Sequence, residues 1–348
     1  MVSLPNTSDQ WQEALALVAM DREAHWDDAD VAARMDFSLR CAFVHGTAAI
    51  RTHIDSMGPQ AAISWPVLAR MRERWAGRIA LQGVSLAMLE SYRAKEGERL
   101  ADLVAAHDGI LGAVVLGDAD PSQALDRIFA LARDRDLDLD FHADETDNPD
   151  SNGLEAIADA TVRFGWEGRV TAGHCCSLAR RPAADAERTI ARVAAAGVAV
   201  VSLPMCNMYL QDRKESGRTP RWRGVTLLHE LAAAGVPIAI GSDNTRDPFF
   251  AYGDLDPVEV FTQAVRIAQL DSPLGGWARA ITVTPASVMK TDVHALLGQG
   301  RSADLILFRA RSWSELLSRP GGPRLVIRSG RPVTDTLPDY RELDMLWR

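Results

Sequence analysis

The sequence predicts an α/β fold built on a (β/α)8 TIM-type barrel, and three observations carry that reading. Short apolar segments alternate with helical segments along most of the chain, the pattern of a parallel sheet covered on both faces. The 348 residues, 47% hydrophobic and 24% charged, suffice for one large core and a small appendage. Polar side chains gather at the carboxyl ends of the later strand segments, the end at which such barrels build their sites.

Trp11, Leu15, Leu17 and Val18 have helical spacing over Trp11–Met20. Asp27-Asp28 opens a longer helix that runs to about Val44, and Gly46 closes it. Ala48–Asp55 is the first strand, followed by a helix at about Trp65–Trp75. The same unit then recurs. Ile79–Leu86 precedes a helix at Gly97–Ala106, Ile110–Val115 one at Ser122–Arg133, and Leu137–Glu145 one at Leu154–Phe164. Arg169–Cys175 precedes Ala184–Ala195, Gly197–Pro204 precedes Leu227–Ala234, and Val236–Asn244 precedes Pro257–Gln269. These are seven strands, whereas a closed barrel of this kind uses eight, so the count predicts a barrel that begins one strand late. Met1–Asp9 is short, polar and carries Pro5, and is not expected to supply that strand. Beyond Gly298, Ala303–Arg309 and Leu325–Ser329 predict a partial β appendage, which divides the chain into a barrel over 1–297 and an appendage with a tail over 298–348.

Composition narrows the function classes. A net charge of −9 without clustered Lys and Arg argues against a nucleic-acid partner. Cys41, Cys175, Cys176 and Cys206 have no CxxC spacing, which predicts reduced thiols rather than a disulfide framework or zinc knuckle. Neither a signal peptide nor an apolar run of about 20 residues is seen, so a cytoplasmic protein without membrane contact is expected.

Three strand ends carry chemistry. His142 and Glu145 end one, His174 the next, and Asp243-Asn244 the last. Each alone is weak, since a strand histidine is more often a satisfied core residue, but their convergence on one barrel face points to a common site. An imidazole nitrogen of His142 and a carboxylate oxygen of Asp243 suit Zn²⁺ or Fe²⁺, whose charge acidifies a water. Asp243 is placed to take the proton from that water, His174 to orient it or add a ligand, and Glu145 to carry a proton to a substrate ring nitrogen. Hydrolytic deamination and amide opening both use this set.

Several motifs in this order add a resemblance: Arg51-Thr-His-Ile-Asp55, Phe141-His-Ala-Asp-Glu145, Thr171-Ala-Gly-His174, Asn207 with Leu210-Gln211 and Arg213, Pro220-Arg-Trp-Arg-Gly224, and Gly241-Ser-Asp-Asn244 followed by Asp247-Pro-Phe-Phe250. From about Met20 to Pro332 the chain resembles the bacterial cytosine deaminase branch of the amidohydrolase superfamily. The resemblance implies a (β/α)8 barrel with one divalent metal, Zn²⁺ or Fe²⁺, held by His142 and Asp243. It further implies Glu145 as proton shuttle, His174 on the attacking water, Phe249 stacked on a planar ring, and a small heterocyclic substrate. It is compatible with a homo-oligomer. Where that branch has a Gln for the pyrimidine amide, this chain aligns Met88, with Gln82 earlier in the strand, and its paired Asp is here Asp243-Asn244. Both changes weaken cytosine itself as the substrate and leave a cytosine-like or other cyclic amidine heterocycle as the expected ring. No His-x-His occurs among the eight histidines, and His53 reads as a hydrogen-bonded strand residue. No strand-end lysine offers a bridging carboxylated ligand, so a binuclear site is not expected. The readings are a deaminase, a ring-opening cyclic amide hydrolase, and an impaired remnant that serves as a scaffold.

Overall fold

The computed structural model describes residues 10–116, 120–213, 218–272, 274–293 and 295–346. Met1–Asp9, from which no strand was expected, and His294 lie outside the described residues. Two helices come first, α1 (Gln10–His25) and α2 (Asp28–His45). The side chain of Asp27 accepts from the Asp30 amide and caps α2. Gly46 ends it at φ 100°. A side chain at Gly46 would be strained twice over, by that φ and by Ile306, whose Cδ1 crowds the place a Cβ would take.

The alternation predicted from the sequence comes next, with strands a residue or more shorter at their ends. It runs β1 (Ala49–Asp55), α3 (Ala61–Arg74), β2 (Ala80–Leu86), α4 (Lys95–Ala106), β3 (Leu111–Val115), α5 (Ser122–Asp134), β4 (Leu139–Ala143) and α6 (Gly153–Phe164). It continues through β5 (Val170–His174), α7 (Ala183–Ala195), β6 (Ala199–Ser202), α8 (Pro204–Leu210), α9 (Leu228–Ala233), β7 (Ile238–Ile240) and α10 (Pro257–Ala268). Then come α11 (Leu274–Trp277), α12 (Val283–Val288), β8 (Leu305–Phe308), α13 (Trp313–Ser318), β9 (Arg324–Arg328) and β10 (Arg331–Pro332). The short helices α8, α12 and α13 were not anticipated, because one or two turns carry too little periodicity to register.

Strands β3 to β7 form a parallel sheet in chain order, β1 and β2 a parallel pair, and parallel bridges Val84–Ile110 and Met88–Val114 join the two. The result is a continuous run of seven parallel strands among the described residues, the count expected from the sequence. Among the described residues β1 and β7 do not pair. Instead α12 packs against β7, and the backbone that ends it reaches β1 and β2. Arg51 Nη2 donates to the Val288 carbonyl (3.3 Å), and Gln82 Nε2 to that of Met289 (2.7 Å).

The core lies between the strands and the helices around them. Leu111, Leu139 and Phe141 on the strands meet Leu125, Ile128 and Phe129 of α5, all fully buried, with Phe129 and Phe141 stacked at 6.0 Å. Burying such a side chain is worth roughly 1.5–3 kcal/mol. Inside the strand array the layer is polar: Arg51 donates to Gln82 Oε1 (3.0 Å), Asp140 Oδ2 (3.0 Å) and Thr171 Oγ1 (3.3 Å). Two residues farther along β1 and β4 on the same face stand His53 and His142, so this layer is a polar floor beneath the strand tips.

The appendage is an antiparallel sheet in the order β10-β9-β8. Arg324 on β9 clamps Asp256 with two hydrogen bonds, 2.8 and 2.6 Å, and Asp256 also caps α10 through the Val258 amide. The four cysteines are free and buried. No helix among the described residues is long and apolar enough to cross a membrane.

Candidate metal and proton-transfer site

The strand tips are bent by backbone that L-residues rarely adopt. Asp144, His174, Cys175 and Asp243 have φ of 49°, 66°, 53° and 63°. Such conformations cost on the order of 1–3 kcal/mol each and persist where the surroundings over-determine them. After β4, the carboxylate of Asp144 accepts from Ser151 Oγ (2.6 Å) and from the amides of Gly153 and Leu154 (both 2.8 Å), anchoring the first turn of α6. The Cys175 amide bonds the Ala143 carbonyl and the Ser177 amide that of Asp144, which ties the β4 and β5 tips together. These constraints leave Glu145 buried beside His174.

The side chains then converge. His174 Nδ1 is 3.2 Å from Glu145 Oε1 and 4.0 Å from Asp243 Oδ2. One donor atom each from Glu145, His174 and Asp243 fall within 4.8 Å of one another. Asn207 on α8 donates from Nδ2 to Glu145 Oε1 (3.0 Å) and lies 3.0 Å from His174 Nδ1. One turn on, Gln211 Nε2 reaches the Glu145 carbonyl at 3.5 Å. Gly224 presses against this helix at φ 75°, where a Cβ would stand 2.5 Å from the Gln211 side chain and 2.7 Å from the Asn207 carbonyl.

His142 is outside the tight group and adjoins it through ring contacts. Its ring centroid is 4.8 Å from that of His174 and 4.4 Å from that of His53, which makes a row of three imidazoles. His53 was expected to be a hydrogen-bonded strand residue. Its Nε2 is 3.8 Å from Asp140 Oδ1, beyond hydrogen-bond distance, and its Nδ1 is buried without a partner.

Charge follows burial. Burial, with His53 and His174 close by, pushes His142 well below the usual imidazole range, so it stays neutral, the form in which histidine binds metal. Burial also opposes a charged His174, but the Glu145 carboxylate, its hydrogen bond and Asp243 outweigh it and hold that histidine at about 9. Burial pushes Asp243 above the ordinary carboxylate range, against the pull of His174. Asp247, just beyond, is pushed by burial up to about 7.

The remaining predicted residues separate by depth. Met88 is half-buried two residues past the β2 tip, bridged to Val114. Gln82 lies mid-strand with its amide committed to Arg51 and the Met289 carbonyl, and is not brought to the cluster. The Asn244 side chain lies beside the Asp247 carboxylate. Phe249 is half-buried against the core. Asn207, Gln211 and Asp247 stood within the motifs without an assigned role; the i, i+4 spacing of Asn207 and Gln211 was the available signal that they share a helix face. A cavity of about 330 Å³ lies elsewhere, at the amino-terminal ends of β5 to β7, lined by Arg51, Arg169, Thr171 and Arg279. It takes no part in this cluster.

The donor set suits a divalent cation. Two carboxylates and an imidazole converge, and His174 Nε2 is buried without a partner, an atom that costs stability unless something ligates it.

Comparison with known proteins places the chain. Residues 70–334 match the model of the amidohydrolase family. Over 342 residues the chain is 53% identical to the pterin deaminase of Rhizobium rhizogenes (strain K84), spanning 97% of this chain and 78% of that protein. It is 25% identical over 300 residues to N-isopropylammelide isopropyl amidohydrolase of Pseudomonas sp. (strain ADP), spanning 83% and 70% of the two. The crystal structure of 5-methylcytosine deaminase from Klebsiella pneumoniae liganded with phosphonocytosine aligns with a TM-score of 0.82 at 22% identity, over 95% of this chain and 81% of that one. That last likeness is one of fold.

Proposed function

The chain belongs to the amidohydrolase family, and on that footing we propose that it hydrolytically deaminates a planar 2-amino-4-oxo heterocycle of the pterin class, releasing ammonia. The observation that carries the reading is the convergence of buried Glu145 and His174 with half-buried Asp243 within 4.8 Å at the strand tips. The choice of ring rests on the 53% identity to a pterin deaminase, and it keeps the cyclic amidine chemistry read from the sequence while moving away from cytosine.

His142 and Asp243, with His174 as a further donor once ligation displaces its proton, would hold Zn²⁺ or Fe²⁺, which supplies Lewis acidity and makes a water nucleophilic near neutral pH. Asp243 would take a proton from the attacking water as the water oxygen bonds to C2 and would hand it to Glu145, which delivers it to the ring nitrogen beside C2. Glu145 would then take the proton of the new C2 hydroxyl to the amino group, which departs as ammonia as the C2–N bond breaks and the C2 carbonyl forms. His174 orients the water through its pairing with Glu145. Asn207 fixes both side chains at 3.0 Å, so the proton path is set before substrate arrives. Burial of Glu145 and His174 keeps bulk water from competing for the proton.

The test is ammonia release from a panel of pterin, cytosine and a cyclic amide by protein reconstituted with Zn²⁺ or Fe²⁺. Ammonia from pterin at the highest kcat/KM is expected. A carboxylate product from the cyclic amide alone indicates ring opening, and a chain that binds no metal and turns over nothing is a scaffold.

A further inference from the structure

Asp247 stands where the proton-transfer steps make no use of it, and its surroundings are built. Its amide donates to the Phe250 carbonyl (3.1 Å) and its Oδ1 accepts from the Phe250 amide (2.8 Å), a reciprocal clasp that fixes the carboxylate plane. The Asn244 side chain approaches from the β7 tip. Asp243 repels it, and Cys206 on α8 faces both carboxylates. Among the described residues Oδ2 is buried with no hydrogen-bond partner. A buried carboxylate oxygen left unpaired costs roughly 1–3 kcal/mol or more, so a site that keeps one has use for a donor that arrives from outside the chain.

We propose that Asp247 is a specificity-determining residue whose Oδ2 accepts the ring N–H next to the reacting carbon of the substrate. The inference rests on the deaminase reading. A 2-amino-4-oxo ring presents such an N–H beside C2, the carbon that Asp243 and Glu145 address. The position after Asp243 is Asn244, which brings no carboxylate, and Asp247 is the next acid along this loop. A site built to accept a hydrogen rejects a ring that offers a lone pair there.

The experiment compares the metal-loaded wild type with Asp247→Asn on two rings: pterin, whose N3 carries hydrogen, and 2-amino-4-methoxypteridine, whose N3 is an acceptor. Asparagine keeps an Oδ1 for the Phe250 amide and puts a donor in place of Oδ2, so the loop is retained; equal melting temperature and metal content check this. The wild-type preference for pterin in kcat/KM is expected to fall by about 10- to 100-fold in the variant, the size of one hydrogen bond to a charged group. An unchanged preference, including an equal loss on both rings, overturns the proposal while leaving the deaminase reading intact. If the wild type releases no ammonia from pterin, the deaminase reading fails. Quenching of pterin fluorescence then measures binding of the same two rings, and a preference that shifts with Asp247→Asn supports the contact, whereas equal binding overturns it.

Discussion

Asn207 shows what one residue contributes to this site. Its Nδ2 donates to Glu145 and lies 3.0 Å from His174, so it acts on the cluster through those two side chains. Asn207→Ala is expected to lower kcat by about 10- to 100-fold while KM stays within about 3-fold and metal content is unchanged, because the interaction orients groups that act in the transition state. A rise in KM alone, measured by steady-state kinetics on pterin, would contradict that role. Among single residues, legibility depended on strand position. The convergence of Glu145, His174 and Asp243 was readable because each stands at or just past the end of an apolar alternating segment, the end at which barrel strands gather polar side chains. Asn207 was not, since an asparagine in a seven-residue helix carries no signal of its own. Gln82 stood out by type, but its depth depends on pairing with Arg51, and register is invisible in a single strand sequence.

Among the elements, the appendage is held to the barrel side by a few buried polar pairs. The Arg324–Asp256 clamp joins β9 to the start of α10, with both side chains nearly excluded from solvent. Arg324→Ala leaves the carboxylate buried without its cation and is expected to destabilise the fold by about 3 kcal/mol in urea unfolding. A loss below about 0.5 kcal/mol would mean that solvent already screens the pair. Next to it, Asp254 accepts from Tyr340 (3.2 Å) and Arg246 and lies 2.9 Å from His45 Nε2. Burial would raise this carboxyl, but the His45 and Arg246 hydrogen bonds win and lower it. A lowered folded value stabilises above the ordinary carboxylate pKa of about 3.9 and is lost as pH falls through the folded one. Asp254→Asn is therefore expected to cost about 1 kcal/mol at pH 6 and progressively less below about pH 4, read from thermal melts across pH. A cost that does not change with pH would contradict it. The long elements were legible because their periodicities run over many residues. The turn-length helices α8 and α12 were not, although α8 carries Asn207 and the backbone ending α12 closes against Arg51 and Gln82.

For the whole molecule, the alternation of strands and helices was enough to anticipate seven parallel strands in chain order, and the structure has them. What the sequence could not convey is how side chains from separate strands meet. His53, from β1, joins the ring row of His142 and His174 because the array curves, and no spacing in the chain encodes that distance. That these tips form one metal-dependent deaminase centre is tested most directly by the metal-to-protein ratio. After reconstitution with Zn²⁺ or Fe²⁺ and removal of excess, elemental analysis should find about one metal per wild-type chain and far less in Asp243→Ala, which lacks a carboxylate of the cluster. No metal in the wild type, or the same amount in both, would contradict a metal centre at these residues.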